Sequence, residues 1–366
     1  MRASWSGEGV APEDGPAEVL RALLRWAVLA PSRHNAQPWV FEIERDELRL
    51  YADGARQLPA VDPDGRELLL GCGAALANLE LAAEHFGYAT SIEVVPGYRH
   101  DALLARVRLE ERRVATRRGE ALFRAIPHRR THRLPLDGRD PPAGLVAALA
   151  REAWRDGVRL RPVEEHQRPI VAALVEEGDH LQWSDPHFRD ELAAWTRVAP
   201  GGRDGMPAAA RGLSALAALA QPWLFRWWKD PAREQALRDR RRAVASRALL
   251  VLSTVRDEKE DRLLAGGVLE RLLLQVTAAG LTASYLNSPI EVPALRPRLQ
   301  AAIGEAGIPQ VMIRVGYGQE LRATPRRPVA EVVRRVEPHP HRAEALAVRT
   351  GRLDHSAPEP GSGLRV

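Results

Sequence analysis

Cysteine is almost absent from this chain, and long apolar runs are missing as well. The single cysteine, Cys72, excludes an internal disulfide and a cysteine-rich metal site. It lies in an apolar helical pattern, so we expect a buried thiol rather than a nucleophile. No apolar run is long enough for a membrane span, and the N-terminus lacks the pattern of a secretory signal. The sequence therefore predicts a cytoplasmic protein.

Lysine is also scarce, since only Lys229 and Lys259 occur among 53 basic residues. The net charge of +5 and the pI near 9.8 would suit a nucleic-acid-binding protein. The arginines, however, are interleaved with acidic residues along the whole chain. We therefore expect no nucleic-acid partner. The 366 residues, 45% hydrophobic and 28% charged, are typical of a globular protein with two domains or one large domain.

A turn from a helical to a strand pattern lies at residues 30–39. Pro31 and Pro38 restrict the backbone at its two ends. Between them stand five hydrogen-bonding side chains, and two interpretations stay open. They either cap local backbone groups or hold a planar polar heterocycle by its edge. We call this segment the corner; its polar residues are Ser32, Arg33, His34, Asn35 and Gln37.

Two apolar helices carry unusually small residues. The first, over about residues 67–86, contains Gly71 and Gly73, and the second, over about 257–279, contains Gly266 and Gly267. Small side chains allow another backbone to approach closely, so we expect helix–helix contact. Asn78 interrupts the first apolar face, either as a buried polar anchor or as a ligand neighbour. The chain thus repeats an order of helix, small-residue helix and strand.

A cluster of arginines follows in the middle of the chain. Arg129, Arg130 and Arg133, with Thr131 between them, could surround a phosphate with charge-assisted hydrogen bonds. Alone, such a run is as typical of a solvated face.

The alternation of apolar and polar residues, together with residues typical of turns and caps, predicts the remaining helices, loops and strands. Asp140 should cap a helix reaching Arg155, and Pro186 should break the helical pattern over 167–195. Residues 199–212 should form a loop, and the aromatic stretch 213–228 a lid, a packed helix or an interfacial membrane helix. The predicted strands are 39–43 and 48–51, which form a hairpin, and 91–95, 104–109, 158–162, 248–253, 281–286 and 310–315.

The corner, Pro31-Ser32-x-x-Asn35-x-Gln37-Pro38-Trp39, resembles the Ser/Asn-Gln-Pro-Trp signature of the nitroreductase family. The whole chain resembles the Acg-like branch, in which two nitroreductase-type halves are fused. The resemblance implies an α+β, nitroreductase-like fold whose fused halves form a pseudo-dimer. The halves would be 16–115 and 116–335, with an insertion around 199–230. Residues 1–15 should be a flexible lead-in, and 336–366 a disordered tail.

The resemblance also implies a flavin mononucleotide (FMN) site. Each element of that site occurs once, with the corner in the first half and the others in the second, so we expect a single composite site. The loop Pro289-Ile290-Glu291 resembles the family's Pro-x-Glu segment. The implied cofactor-binding residues are Ser32, Arg33, Asn35, Gln37, Arg129, Arg130, Thr131, Arg133, Pro289, Ile290, Glu291, Arg326 and Arg327.

The implied activity is NAD(P)H-linked reduction of nitroaromatics or quinones, with the flavin supplying the chemistry. No catalytic side chain and no metal are required. The fusion would let one chain act as a monomer. An alternative is a flavin-sequestering protein, in which residues 213–228 cover the cofactor and little reductase activity remains.

Overall fold

The computed structural model describes residues 15–95, 103–155, 157–197, 202–207 and 231–334. The predictions for residues 1–14, 213–228 and the C-terminal tail lie outside these ranges. Within them, helices α1 to α11 occupy, in chain order, Pro16–Ala27, Arg66–His85, Arg117–Ala125, Leu145–Arg155, Arg168–Ser184, Pro186–Ala194, Pro231–Ala245, Lys259–Ala278, Ser288–Glu291, Arg296–Ala302 and Val329–Val332.

Strands form two main sheets and a small two-stranded one. The first sheet has the order β11-β1-β2-β4-β3, the second has β5-β8-β10-β9, and β6 pairs with β7. Strands β1 to β11 are Trp39–Glu44, Glu47–Ala52, Tyr88–Val94, Leu103–Arg112, Arg159–Pro162, Thr196–Arg197, Met206–Pro207, Ala248–Thr254, Thr282–Tyr285, Ile308–Gly316 and Val333–Arg334.

The two sheets differ in how deeply they are buried. In the first, the hairpin places Phe41 opposite Leu50, and both pack with α1 and α2 in one core. In the second, every residue of β8 is buried. Leu250 and Leu252 belong to one core cluster and Leu249 and Val251 to another, so both faces of that strand are covered.

Helices α2 and α8 cross at the centre of the fold. A Cβ atom added to Gly73 would lie 1.9 Å from the Leu263 carbonyl oxygen, and one added to Gly266 would lie 2.1 Å from the Leu70 carbonyl oxygen. Only glycine therefore permits this separation between the two backbones. The prediction of close helix contact from the small residues is confirmed.

The boundary near residue 115 does not separate two cores. Helix α3 lies beyond it, yet Leu122 and Phe123 pack into the core of the first sheet. Strand β11, from the far end of the described chain, pairs in parallel with β1, with Val333 beside Phe41. The described residues between 15 and 334 accordingly form one compact unit.

Two local predictions are wrong. Asp140 does not cap α4, because Gly144 adopts a left-handed conformation with φ of 78° and the helix begins only at Leu145. The Pro-x-Glu segment is the short helix α9, not a loop, since the Ile290 amide bonds the Asn287 carbonyl. Helices α3 and α7 and the pairing of β11 were not predicted.

Other predictions are confirmed. The hairpin, the break between α5 and α6 at Pro186, and the two long helices α2 and α8 all appear. Cys72 is buried, as expected, and its thiol contacts the Pro38 carbonyl oxygen. The α+β class is correct. Among the described residues, no helix has the length and apolar character that a membrane crossing requires.

Candidate functional site

The corner is held in a strained conformation. After α1 ends, His34, Asn35 and Gln37 adopt left-handed backbone angles, with φ of 51°, 57° and 54°. Non-glycine residues occupy this region at a cost, so surrounding contacts must compensate. One is local, since the Gln37 amide donates to the Ser32 hydroxyl at 2.9 Å. The prolines alone therefore do not fix the corner.

Asn35 and Gln37 attach distant segments to the corner. The Asn35 amide donates to the carbonyl oxygens of Gly205 and Pro325 at 3.0 and 3.1 Å. The Gln37 side chain donates to the Arg203 carbonyl and accepts from the Arg327 amide, both at 2.8 Å. Gln37 lines neither of the cavities described below, so its side chain organises the protein instead of facing a ligand.

A small cavity of about 90 Å³ lies between the corner and the mid-chain arginines. Arg129, Arg130, Arg133 and Arg326 line it together with Asn35. Two guanidinium groups also contact the start of the corner or the residue before it. Arg326 donates to the Ala30 carbonyl at 3.1 Å, and Arg129 reaches the Leu29 carbonyl at 3.5 Å. The lining contains no carboxylate, so this cavity suits an anion.

The Nε atoms of Arg129 and Arg326 are buried and have no hydrogen-bond partner in the described part of the chain. Burial, together with Arg129, lowers the pKa of Arg326 to about 9. Arg130 differs, because its Nε donates to the Leu321 carbonyl at 3.3 Å. Arg129 and Arg326 are therefore better placed than Arg130 to bind an anion.

A glutamate lies behind these arginines. Glu270 of α8 is completely buried, and its carboxylate is 3.5 Å from Arg129 Nε. Asn78, which donates to the Trp26 carbonyl, also faces it. Burial raises the pKa of Glu270 to about 7. Asn78 is thus the buried polar anchor that the sequence allowed.

A larger cavity of about 490 Å³ adjoins the small one. Pro31, Thr131, Arg133 and Met206 line both cavities. The corner contributes Ser32 and Arg33 to the larger one, and α2 contributes Leu70 and Gly71. Its volume is in the range of cofactor and ligand sites. The two cavities together offer a cationic end and a roomier end of one site.

Arg33 crosses the larger cavity to Glu291. Its guanidinium makes two contacts with that carboxylate, at 2.7 and 2.9 Å, and its Nε lies 3.3 Å from Glu67. Burial alone would lower the pKa of Arg33, but Glu291 and Glu67 raise it. Gln182 of α5 also donates to Glu291, at 2.7 Å. Arg33 thus links the corner to the second half.

Glu67 and Glu291 form a carboxyl pair. Burial raises the pKa of Glu291 to about 8, and the negative Glu67 adds to the effect. Burial would raise the pKa of Glu67 too, but Arg33 and Arg66 lower it. The two carboxyl groups therefore differ in pKa, and Glu291 retains a proton more readily than Glu67.

A second carboxyl pair lines the same cavity. Asp179 of α5 faces Asp239 of α7 and the Ser288 hydroxyl. Burial, and then Asp239, raise the pKa of Asp179 well above its usual value. The larger cavity is therefore lined by two carboxyl groups, Asp179 and Glu291, whose pKa values are raised.

Besides Gln37, three expected site residues line neither cavity. Pro289 and Ile290 are buried in α9, where Ile290 packs in the core. Arg327 faces outward from the site, donating to the Glu331 carbonyl at 2.6 Å. Of the two C-terminal arginines, Arg326 alone lines the small cavity.

Sequence reasoning missed several site residues, yet a signal for some exists. Arg314 interrupts the apolar strand β10, and Glu270 interrupts the apolar helix α8. Charged residues in otherwise buried segments are rare and need a partner. Asp179, Asp239 and Gln182 have no such signal, because α5 and α7 are mixed in composition.

The described residues contain no group of three or more His, Cys, Asp or Glu side chains that could hold a metal ion.

No family model matches the chain. It is 34% identical over 343 residues to "Putative NAD(P)H nitroreductase Rv3131" of Mycobacterium tuberculosis H37Rv, covering 91% of this chain and 97% of the relative. It is 33% identical over 323 residues to "Putative NAD(P)H nitroreductase acg" of the same strain, covering 86% and 95%.

Among solved structures, the FMN-dependent nitroreductase NfnB from Mycobacterium smegmatis, in complex with NADPH, aligns with a TM-score of 0.38 and 16% identity. That alignment covers 59% of this chain and 97% of the other.

Proposed function

Since the chain belongs to the NAD(P)H nitroreductase family, we propose that it binds FMN in one composite site and catalyses NAD(P)H-linked reduction of nitroaromatics or quinones. One observation carries the proposal. A cavity lined by arginines opens, past Thr131 and Arg133, into a larger cavity built from the corner and the second half.

The residues present fit a flavin mononucleotide. Arg129 and Arg326 would bind the phosphate, because both line the small cavity and neither buried Nε makes a hydrogen bond within the described residues. Thr131 and Arg133 would hold the chain that joins the phosphate to the ring, since they line both cavities. Ser32 and Gly71 would border the ring. FMN bound there would supply hydride chemistry between nicotinamide and acceptor.

The protein would supply position, polarity and protons. Arg33 and Glu291 tie the two sides of the larger cavity together and fix its width. Burial raises the pKa of Glu291, which favours a retained proton inside the cavity. A reduced nitro group or quinone must take up protons, so a proton reservoir near the acceptor favours this reaction class.

A single site per chain follows from the distribution of its parts. The corner occurs once, in the first half, and the arginines occur once, in the second. We propose that the two fused halves correspond to the two subunits of a dimeric relative and that only one of two equivalent sites has persisted.

Adjacent arginines provide a matched test of the phosphate site. Arg326→Gln should raise the dissociation constant for FMN about tenfold or more, because it removes a charge-assisted contact. Arg327→Gln removes a positive charge from the adjacent residue, which lines neither cavity, and should change that dissociation constant less than about threefold. Titration of the apoprotein with FMN, followed by fluorescence, measures both. Equal effects of the two variants, or no FMN binding, would contradict the proposal.

Reduction of the bound flavin tests the activity. Under anaerobic conditions, stopped-flow mixing with NADH or NADPH should bleach the flavin absorbance, and a nitroaromatic should restore it. A protein that binds FMN but is bleached by neither donor would be a flavin-sequestering protein instead.

A further inference from the structure

An arginine lies in the middle of the buried second sheet. Arg314 is on β10, which runs between β8 and β9, and eight of the nine residues of β10 are buried. Its neighbour on the same face, Met312, packs in the core, whereas Arg314 lines the larger cavity with only 3% of its surface exposed. This cation therefore faces the interior of the site.

Arg314 has few partners for a buried guanidinium. It donates to the carbonyl oxygens of Leu134 and His132 at 2.8 and 3.3 Å, and its buried Nε has no hydrogen-bond partner in the ranges that the structure describes. No carboxylate within those ranges forms an ion pair with it. Burial and the nearby Arg242 lower the pKa of Arg314 to about 10, so it remains charged at neutral pH.

Asp239 is the acidic residue that interacts electrostatically with Arg314, but its carboxylate already has hydrogen-bond partners. Asp239 acts on Arg314 only through space, while it accepts hydrogen bonds from Gln235 at 2.7 Å and from Arg242 at 2.6 Å. Its other neighbour is Asp179, whose pKa is raised by burial and by Asp239 itself. A buried cation without an adjacent anion is costly, and a planar guanidinium binds a carboxylate or phosphate through two hydrogen bonds.

We propose that Arg314, assisted by Arg242, binds an anionic group of the second ligand that enters the larger cavity beside the flavin. The group is a carboxylate or a phosphate, carried either by the electron acceptor or by the nicotinamide donor. The enzyme would then prefer a charged substrate to its neutral analogue. This inference rests on the proposed function for the presence of a second ligand, but its test does not require turnover.

Paired ligands test the preference by binding alone. Isothermal titration would compare 4-nitrobenzoate with the neutral 4-nitrobenzyl alcohol, and NADPH with NADH. In the native protein, the more negatively charged member of at least one pair, 4-nitrobenzoate or NADPH, should bind about tenfold more tightly, as a charge-assisted contact implies. Arg314→Gln should abolish that difference. The dissociation constant of the less negatively charged member of the pair should change less than about twofold.

The ligand pair whose preference is lost in Arg314→Gln shows whether the acceptor or the donor carries the anionic group. A loss confined to 4-nitrobenzoate indicates an acceptor carboxylate, and a loss confined to NADPH indicates the 2′-phosphate of the donor. A variant that weakens both members of each pair equally, or a native protein without preference in either pair, would overturn the proposal.

Two further variants distinguish an effect on ligand binding from an effect on folding. Arg242→Gln leaves the contacts of Arg314 with Leu134 and His132 in place and should reduce the preference about threefold. Arg298→Gln removes an exposed arginine, paired with Glu177 at 2.6 Å, and should leave it unchanged. If Arg242→Gln folds and keeps the full preference, the proposal fails. Loss of FMN binding with the preference intact would contradict the proposed function alone.

Discussion

The two central helices, α2 and α8, each bring a fully buried glutamate to the site, and the two glutamates behave differently. Glu67 on α2 lies 3.3 Å from two arginines and accepts a hydrogen bond from Asn287 at 3.0 Å, which keeps it ionised. Glu270 on α8 has Arg129 at 3.5 Å, and burial raises its pKa. Burial alone therefore does not decide the charge of a glutamate; the neighbouring charges and hydrogen-bond donors contribute as well.

The largest effect should come from separating the two helices. Gly73→Ala places a methyl group where the Leu263 carbonyl oxygen lies, so the backbones must move apart. We expect a loss of about 4 kcal/mol in the free energy of unfolding, measured by chemical denaturation. The control is Gly267→Ala, whose added Cβ would have its nearest neighbour at 3.5 Å; it should be neutral or slightly stabilising. Equal losses would contradict the crossing geometry.

Removing the partner of Glu67 should have the next largest effect. Arg33→Gln leaves Glu67 and Glu291 buried without their shared cation, and we expect a loss of about 3 kcal/mol at pH 8. The loss should be smaller at pH 5, where protonation relieves the repulsion. Arg298→Gln, which breaks an exposed pair, should cost less than about 1 kcal/mol. A loss for Arg33→Gln that does not vary with pH would show that the two carboxyl groups do not depend on this cation.

The smallest effect concerns Glu270 and its pH dependence. Its pKa is raised from the usual 4.5 to about 7, so folding favours its protonated form. The corresponding stability is present below pH 4.5 and is lost as the pH rises through 7. Glu270→Gln cannot ionise, so the fall in unfolding free energy between pH 5 and pH 8 should be about 2 kcal/mol smaller than in the native protein. Parallel profiles of the two proteins would show that Glu270 does not titrate in this window.

Much of the fold could be predicted because its signals are local. The glycines of α2 and α8, the prolines of the corner and the alternation of the β1–β2 hairpin each specify nearby backbone geometry. The pairing of β11 with β1 joins residues about 290 positions apart and leaves no local trace. The cap assigned to Asp140 failed because a glycine turn intervened before the helix.

The candidate site, too, has features that the sequence could predict and features that it could not. The corner and the arginine cluster could be proposed as partners because their residue types resemble a known signature. The roles of individual residues could not, since Gln37 and Arg327 differ from Asn35 and Arg326 only in the direction that the folded backbone gives them. The contact of Arg33 with Glu291 requires both halves to be in place. The contact of Arg129 with Glu270 lies within the second half but joins residues about 140 positions apart.

The pairing of β11 with β1 also affects how the chain is made. Until residue 334 has left the ribosome, β1 presents an unpaired edge, and such edges promote association between chains. Arg334 then locks the edge, with its guanidinium 2.7 Å from the Glu42 carboxylate and 3.6 Å from the centre of the Tyr51 ring. The first sheet is thus completed last, and a chain shortened before residue 329 should aggregate during synthesis even though the corner has already been translated.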